Sequence, residues 1–148
     1  MILFLDFDGV LHPAPNNNST DFSALPLFET WLREHEQVKL VISSSWREIM
    51  SLDVLKAIFS ADLHDRVIDK CPIIEFIGTE ELWRHKEIME WIRINEYTGH
   101  WLALDDRVSA FPKSLYQLIA CQTKIGIDSK VLEELTKKVI SHDHLSGF

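Results

Sequence analysis

The chain opens with five apolar residues that run straight into two carboxylates and a glycine: Met1-Ile2-Leu3-Phe4-Leu5-Asp6-Phe7-Asp8-Gly9-Val10-Leu11. Apolar side chains without interruption leave no solvent-facing side, so this segment reads as a strand buried on both faces, the kind found inside a parallel sheet. Side chains alternate along a strand, which sends Asp6 and Asp8 in the same direction. Gly9 then lets the backbone turn through a conformation that other residues resist. Two acids at the end of a hydrophobic strand are costly unless positive charge lies between them. A divalent metal bound together with an anionic substrate answers that need. The plain alternative is an Asp-x-Asp that only caps a strand. Against it, ligands of open α/β sheets bind at the carboxyl ends of strands, which is where this pair falls.

The rest of the chain alternates strand-like and helix-like segments. The stretch from His12 to Leu25, with Pro13, Pro15 and Asn16-Asn17-Asn18, reads as a loop over the end of the first strand. Leu25, Phe28, Trp31 and Leu32 form one face of a helix predicted from Leu25 to Glu36. Val38 to Ile42 is a second strand, stopped by Ser43-Ser44-Ser45, and Trp46 to Ser60 is expected to be mostly helical. A short strand is expected around Arg66-Val67-Ile68. Thr79 then caps a helix reaching about Tyr97, with Glu80 and Glu81 in its first turn. His100 to Leu104 makes a further strand that ends in Asp105-Asp106, Gln117 to Gln122 another, and Asp128 caps a closing helix from Ser129 to Ser141. Alternation of this kind implies an α/β fold with a parallel sheet and helices on both faces.

Composition narrows the setting. At 148 residues, with 46% hydrophobic and 26% charged side chains, the chain suits one soluble globular domain spanning residues 1–148. A net charge of −8 argues against a general binder of nucleic-acid backbones while leaving room for a local basic pocket. Cys71 and Cys121 are too few and too far apart for a disulfide framework or a zinc site and read as core thiols of a reducing compartment. The N-terminal apolar run is too short for a signal peptide and Asp6 interrupts it; no later run reaches membrane-spanning length. A cytoplasmic protein without a membrane partner is the expectation.

Three predicted strands end in chemically useful residues: Asp6 and Asp8, Ser43 to Ser45, and Asp105 with Asp106. In a parallel sheet these ends share one edge. Acids from two strands can hold one magnesium ion, a serine hydroxyl and backbone N–H groups can donate to phosphate oxygens, and a lysine or arginine can balance the remaining charge. The set points to phosphoryl transfer. For the basic residue, Lys86 and Arg84 lie on opposite flanks of the stripe that carries Leu82, Ile88, Met89 and Ile92. His12 follows the first acids closely enough to reach substrate. His142 and His144 read as a solvated tail, and Trp31, Trp83, Trp91 and Trp101 as core side chains; Trp46 and Arg47 fall beside a pocket entrance.

These motifs resemble those of the haloacid dehalogenase-like (HAD) phosphohydrolase superfamily across essentially the whole chain. Asp6-Phe7-Asp8-Gly9-Val10 is similar to its first motif, Ser43-Ser44-Ser45 falls where its second places a serine or threonine, and Leu102-Ala103-Leu104-Asp105-Asp106 is similar to one form of its acidic fourth motif. More narrowly, Ser44-Ser45-Trp46-Arg47, the run from Arg84 to Ile88 before Glu90-Trp91-Ile92, Leu104-Asp105-Asp106-Arg107 and Gly126-Ile127 resemble the small HAD domains associated with bacterial RNA-repair proteins.

The resemblance implies a Rossmann-like fold and roles for particular residues. Asp6 would be the nucleophile that forms an aspartyl-phosphate, and Asp8 the general acid and base. Mg²⁺ would be held by Asp6, the backbone carbonyl of Asp8, and Asp105, with Asp106 ligating or orienting. Ser44, with Ser43 as the alternative, would bind phosphate, together with Lys86 or Arg84. The gaps from His12 to Ala24 and from Ser51 to Thr79 are short, so little or no cap domain is expected, and an open site suits phosphate on a large partner such as a polynucleotide end. Lys56, Arg66, Lys70, Arg84 and Lys86 are the residues that would make a basic track. The rival expectations are a metal-dependent nuclease using the same acids and a non-catalytic phosphate-binding or regulatory module.

Overall fold

A computed structural model describes residues 1–14, 21–75 and 81–146, without the side chains of 142–146. Its centre is a five-stranded, all-parallel sheet of strands β1 (Ile2–Leu5), β2 (Lys39–Ile42), β3 (Val67–Lys70), β4 (Trp101–Asp105) and β5 (Leu118–Ala120), in the order β3-β2-β1-β4-β5. Every residue of β1 is buried, as a fully apolar central strand requires.

Alternation along β1 builds two cores. Leu3, Leu5 and Phe7 face helices α1 (Leu25–Glu34), α2 (Leu52–Lys56) and α4 (Ser129–Ser146), which contribute Phe28 and Leu32, Leu55, and Leu135 and Val139. Ile2 and Phe4 face helix α3 (Trp83–Ile94), meeting Ile88 and Trp91 with Val41 and Ala103 from the adjacent strands. Helices therefore cover both faces, and among the described residues there is no separate cap domain.

Two segments differ from their sequence patterns. The stretch from Trp46 to Ser60 is not one helix but a 3-10 turn over Ser45–Glu48 followed by the short α2. Two serine caps divide it: Ser44 Oγ accepts from Trp46 N, and Ser51 Oγ accepts from Val54 N at 3.3 Å. Helix α3 starts at Trp83, just after Leu82 at a left-handed φ of 57°, and stops at Ile94. Thr79, expected as its cap, and Glu80, expected in its first turn, lie outside the described residues, as do Pro15 and Asn16 to Asn18, while Glu81 precedes the helix. Asp128 caps α4 as expected, its Oδ1 accepting from Val131 N at 2.9 Å.

Candidate active site

Parallel register places the ends of the central strands side by side. Leu5 pairs with Ile42 on one side and Leu104 on the other, so Asp6, Ser43 and Asp105 follow at the same sheet edge. Backbone bonds hold them there: Asp6 N donates to Leu104 O at 3.1 Å and Ser43 N to Leu5 O at 2.9 Å. Beyond the strand, Phe7 turns into the apolar core against Phe22, Trp46 and Phe59, which anchors the loop while its neighbours Asp6 and Asp8 face away. Gly9 sits at φ 75°, and a Cβ there would lie 2.2 Å from Asp106 Oδ2; the missing side chain makes room for the acid.

Asp6, Asp105 and Asp106 each bring a carboxylate oxygen within 4.8 Å of the others. Asp6 and Asp105 are buried. Burial, then the charges of Asp105 and Asp106, pushes the Asp6 carboxyl well above the usual range, against the pull of Arg84. Asp105 is pushed up to about 6, again chiefly by burial and again opposed by Arg84. Asp105 Oδ1 accepts from Arg107 N at 2.9 Å, and Thr123 Oγ1 donates to Asp106 Oδ2 at 2.8 Å. The remaining oxygens, Asp105 Oδ2 and Asp106 Oδ1, are buried and have no hydrogen-bond partner among the described residues. Orphaned carboxylate oxygens, all of them hard ligands converging from two strands, fit a divalent cation such as magnesium. The residues present therefore fit the metal that the motifs imply.

Arg84 is the buried cation of this site. Its Nε lies 3.5 Å from Asp105 Oδ2 and its Nη1 3.9 Å from Glu87 Oε1, and neither nitrogen makes an aligned hydrogen bond among the described residues. Lys86, two residues on, is exposed and is not among the residues that line the cleft. The cleft, about 630 Å³, is lined by Asp6, Asp8, His12, Ser45, Arg84 and Asp106 among others.

Against this geometry, residues 2–132 match the family described as the HAD domain in Swiss Army Knife RNA repair proteins. The chain belongs to this family. No curated protein and no solved structure matched the chain.

Within this HAD domain the predicted residues are distributed unevenly. Asp8 lines the cleft, but its carboxylate stands apart from the other three: Oδ2 accepts from Trp46 Nε1 at 3.1 Å, and Oδ1 lies 2.9 Å from His12 Nε2. Ser43 and Ser44 are buried, and Ser44 Oγ is the cap of the following turn; Ser45 is the serine of that run that lines the cleft. Of the residues expected to form a basic track, Arg84 alone lines the cleft. Arg66 instead donates to the carbonyls of His35 and Val38, and Lys70 to those of Arg47 and Met50.

Arg47 is not at an entrance. It is buried, donating to the carbonyls of Ser43, Ser44, Cys71 and Pro72 and to the Glu87 carboxylate. Glu87, which the sequence pattern gave no reason to single out, thereby links Arg47 to Arg84. Burial raises the Glu87 carboxyl against the pull of both arginines. Trp83 packs against the core as expected, but only in part: it is half-buried and also lines the cleft. Cys71 and Cys121 are free, buried thiols, both pushed up by desolvation, Cys71 to about 12. Among the described residues no helix is long and apolar enough to cross a membrane.

Proposed function

We propose that the protein is a magnesium-dependent phosphatase that works through an aspartyl-phosphate on Asp6 and removes a terminal phosphate from a nucleic-acid end. The observation that carries this reading is the convergence of Asp6, Asp105 and Asp106 at the sheet edge beside the buried Arg84. A bound magnesium would neutralise the carboxylates and the phosphate oxygens they would otherwise repel.

The chain's own residues supply the rest. An Asp6 oxygen attacks phosphorus and displaces the substrate oxygen, so one P–O bond forms as another breaks. Asp8, at the cleft wall with Trp46 and His12 fixing its carboxylate, gives a proton to that leaving oxygen. It then takes a proton from the water that attacks the acyl-phosphate, releasing phosphate and restoring Asp6. Arg84 attracts the phosphate oxygens, and the serine run after β2 supplies a hydroxyl or backbone N–H groups from the opposite side. The family's occurrence in RNA repair proteins and an uncapped cleft support a polynucleotide end as substrate.

Release of phosphate from an end-phosphorylated oligonucleotide and from an aryl phosphate is expected, lost with EDTA and in Asp6→Asn. Beryllium fluoride should form an adduct on Asp6 visible by fluorine NMR. A nuclease using the same acids to activate water would cut internal phosphodiesters and form no such adduct.

A further inference from the structure

The two flanks of the cleft differ in charge. After β2 the lining residues are Ser45 and Glu48; on the other side of β1 they are Trp83 and Arg84 from α3, Asp106 and Arg107 after β4, and Thr123, so both cations of the lining stand on that side, with Asp106 set among the carboxylates of the metal cluster. A polyanion whose end phosphate enters the cleft is repelled by Glu48 and drawn across the Trp83 side. There the two cations are not equivalent. Arg84 is buried between Asp105 and Glu87 and is already engaged within the site. Arg107 is exposed, with its backbone fixed by the bond to Asp105.

Both guanidinium groups stand over the Trp83 ring, Arg84 at 4.5 Å from its centroid and Arg107 at 6.0 Å. The closer one shows that the ring lies beside the cation proposed to meet the phosphate, which brings the nucleotide carrying that phosphate next to the indole. The farther one stands beyond the roughly 3.5–4.0 Å of close carbon contact, on a side chain that is exposed and able to swing. A planar base fits that arrangement as a sequence-tolerant stack on an aromatic ring, with the arginine against the base or the next phosphate. Trp83 packs against the core and is half-buried, so the ring is held in place while part of it borders the cleft.

We propose that Trp83 and Arg107 form the platform for the terminal nucleotide of a single-stranded nucleic acid, Trp83 stacking its base and Arg107 holding the adjoining phosphate. The proposal rests on the phosphatase reading only for where the end phosphate lies, and a phosphoserine peptide, which carries no planar base one sugar away from its phosphate, is the excluded class.

The test is binding, which does not depend on turnover. Fluorescence anisotropy would compare labelled single-stranded hexanucleotides bearing a non-hydrolysable 3′- or 5′-methylenephosphonate in place of the end phosphate, each with either a normal or an abasic terminal nucleotide. In the wild-type protein with magnesium the base-bearing end should bind about tenfold more tightly. That ratio should fall towards one in Trp83→Ala and remain largely intact in Trp83→Phe, which keeps a ring and guards against misfolding. Arg107→Ala should weaken binding of the base-bearing and abasic probes alike and reduce the salt dependence of binding. Equal affinity for base-bearing and abasic ends in the wild type, an unchanged ratio in Trp83→Ala, or equally tight binding of a phosphoserine peptide would overturn the proposal. Base-dependent binding without phosphate release would leave the platform standing and remove the phosphatase reading.

Discussion

Gly9 and Asp106 occupy one space: the carboxylate of Asp106 stands where any side chain at position 9 would begin, 2.2 Å from the ideal Cβ position. The first strand's turn and the fourth strand's acid are thus fitted to each other across the sheet edge.

Gly9→Ala is expected to act twice. Alanine at φ 75° costs about 1–2 kcal/mol in backbone strain. It must also drive Asp106 out of the carboxylate cluster and away from Thr123. Chemical denaturation should register the first effect. Isothermal titration with magnesium should register the second as a loss of affinity larger than in Thr123→Val, which removes only the hydrogen bond. Unchanged metal affinity in Gly9→Ala would separate Asp106 from the metal site.

The buried acids make the metal-free protein sensitive to pH in an unusual direction. Asp6 and Asp105 are raised in the fold above the carboxyl range of an unfolded chain, Asp105 to about 6. Between about pH 4 and pH 6 the folded state therefore holds protons that the unfolded state has released, and stability falls as pH rises. In EDTA the melting temperature of the wild type should drop over this window relative to Asp105→Asn, in which one of the titrating groups is gone. Magnesium should restore the wild type above pH 6. Parallel melting curves for the two proteins would show that the carboxylate cluster does not control stability.

Those acids were legible in sequence because a parallel sheet makes local facts into spatial ones. Apolar strands that stop at Asp6, Ser43 and Asp105 end at one edge, whatever the chain does between them. The arginines were legible only in part: the sequence offers Arg84 beside Lys86 as a candidate cation, but neither its burial nor that of Arg47. Arg47 and Arg84 look like ordinary helix charges, and their burial depends on carbonyls and carboxylates that arrive from other segments, Cys71, Pro72 and Asp105 among them. The division of the stretch after Trp46 likewise turns on whether two serines cap or continue a helix, a choice made by packing. The double position of Trp83 is hidden for a related reason: an apolar stripe says that a ring lies near the core, not that part of it borders a cleft.

Arg47 and Glu87 are expected to matter as a pair. Arg47 joins the loop after β2 to the end of β3 through four carbonyls, and its contact with Glu87 ties both to α3. Arg47→Ala leaves a buried carboxylate and several carbonyls without their donor, and breaking a buried pair this way costs about 3–5 kcal/mol. Urea denaturation should show that loss. Glu87→Gln keeps a hydrogen-bond acceptor and should cost less in stability than Arg47→Ala. A small loss for Arg47→Ala, comparable to a surface substitution, would mean that the loop is held by its backbone bonds alone.

Arg84 and Lys86 separate by position on the same helix. Arg84 is buried beside Asp105 and lines the cleft, whereas Lys86 is exposed and outside it. If Arg84 is the cation that meets the phosphate, Arg84→Ala should lower kcat/KM by at least about a hundredfold, the scale of losing one preorganised donor to developing charge. Lys86→Ala should stay within about twofold, and its stability within about 0.5 kcal/mol of wild type, as for other surface changes. Because Arg84 also holds Glu87 and Asp105, its removal will destabilise the fold, so activity is to be measured at a temperature where denaturation curves place both variants fully in the native state. Arg84→Lys supplies the discriminating case. It keeps the charge but loses the planar fork, and should recover part of the activity while leaving a raised KM. Full activity in Arg84→Ala together with a hundredfold loss in Lys86→Ala would transfer the phosphate-binding role to the exposed lysine and require α3 to turn in the substrate complex.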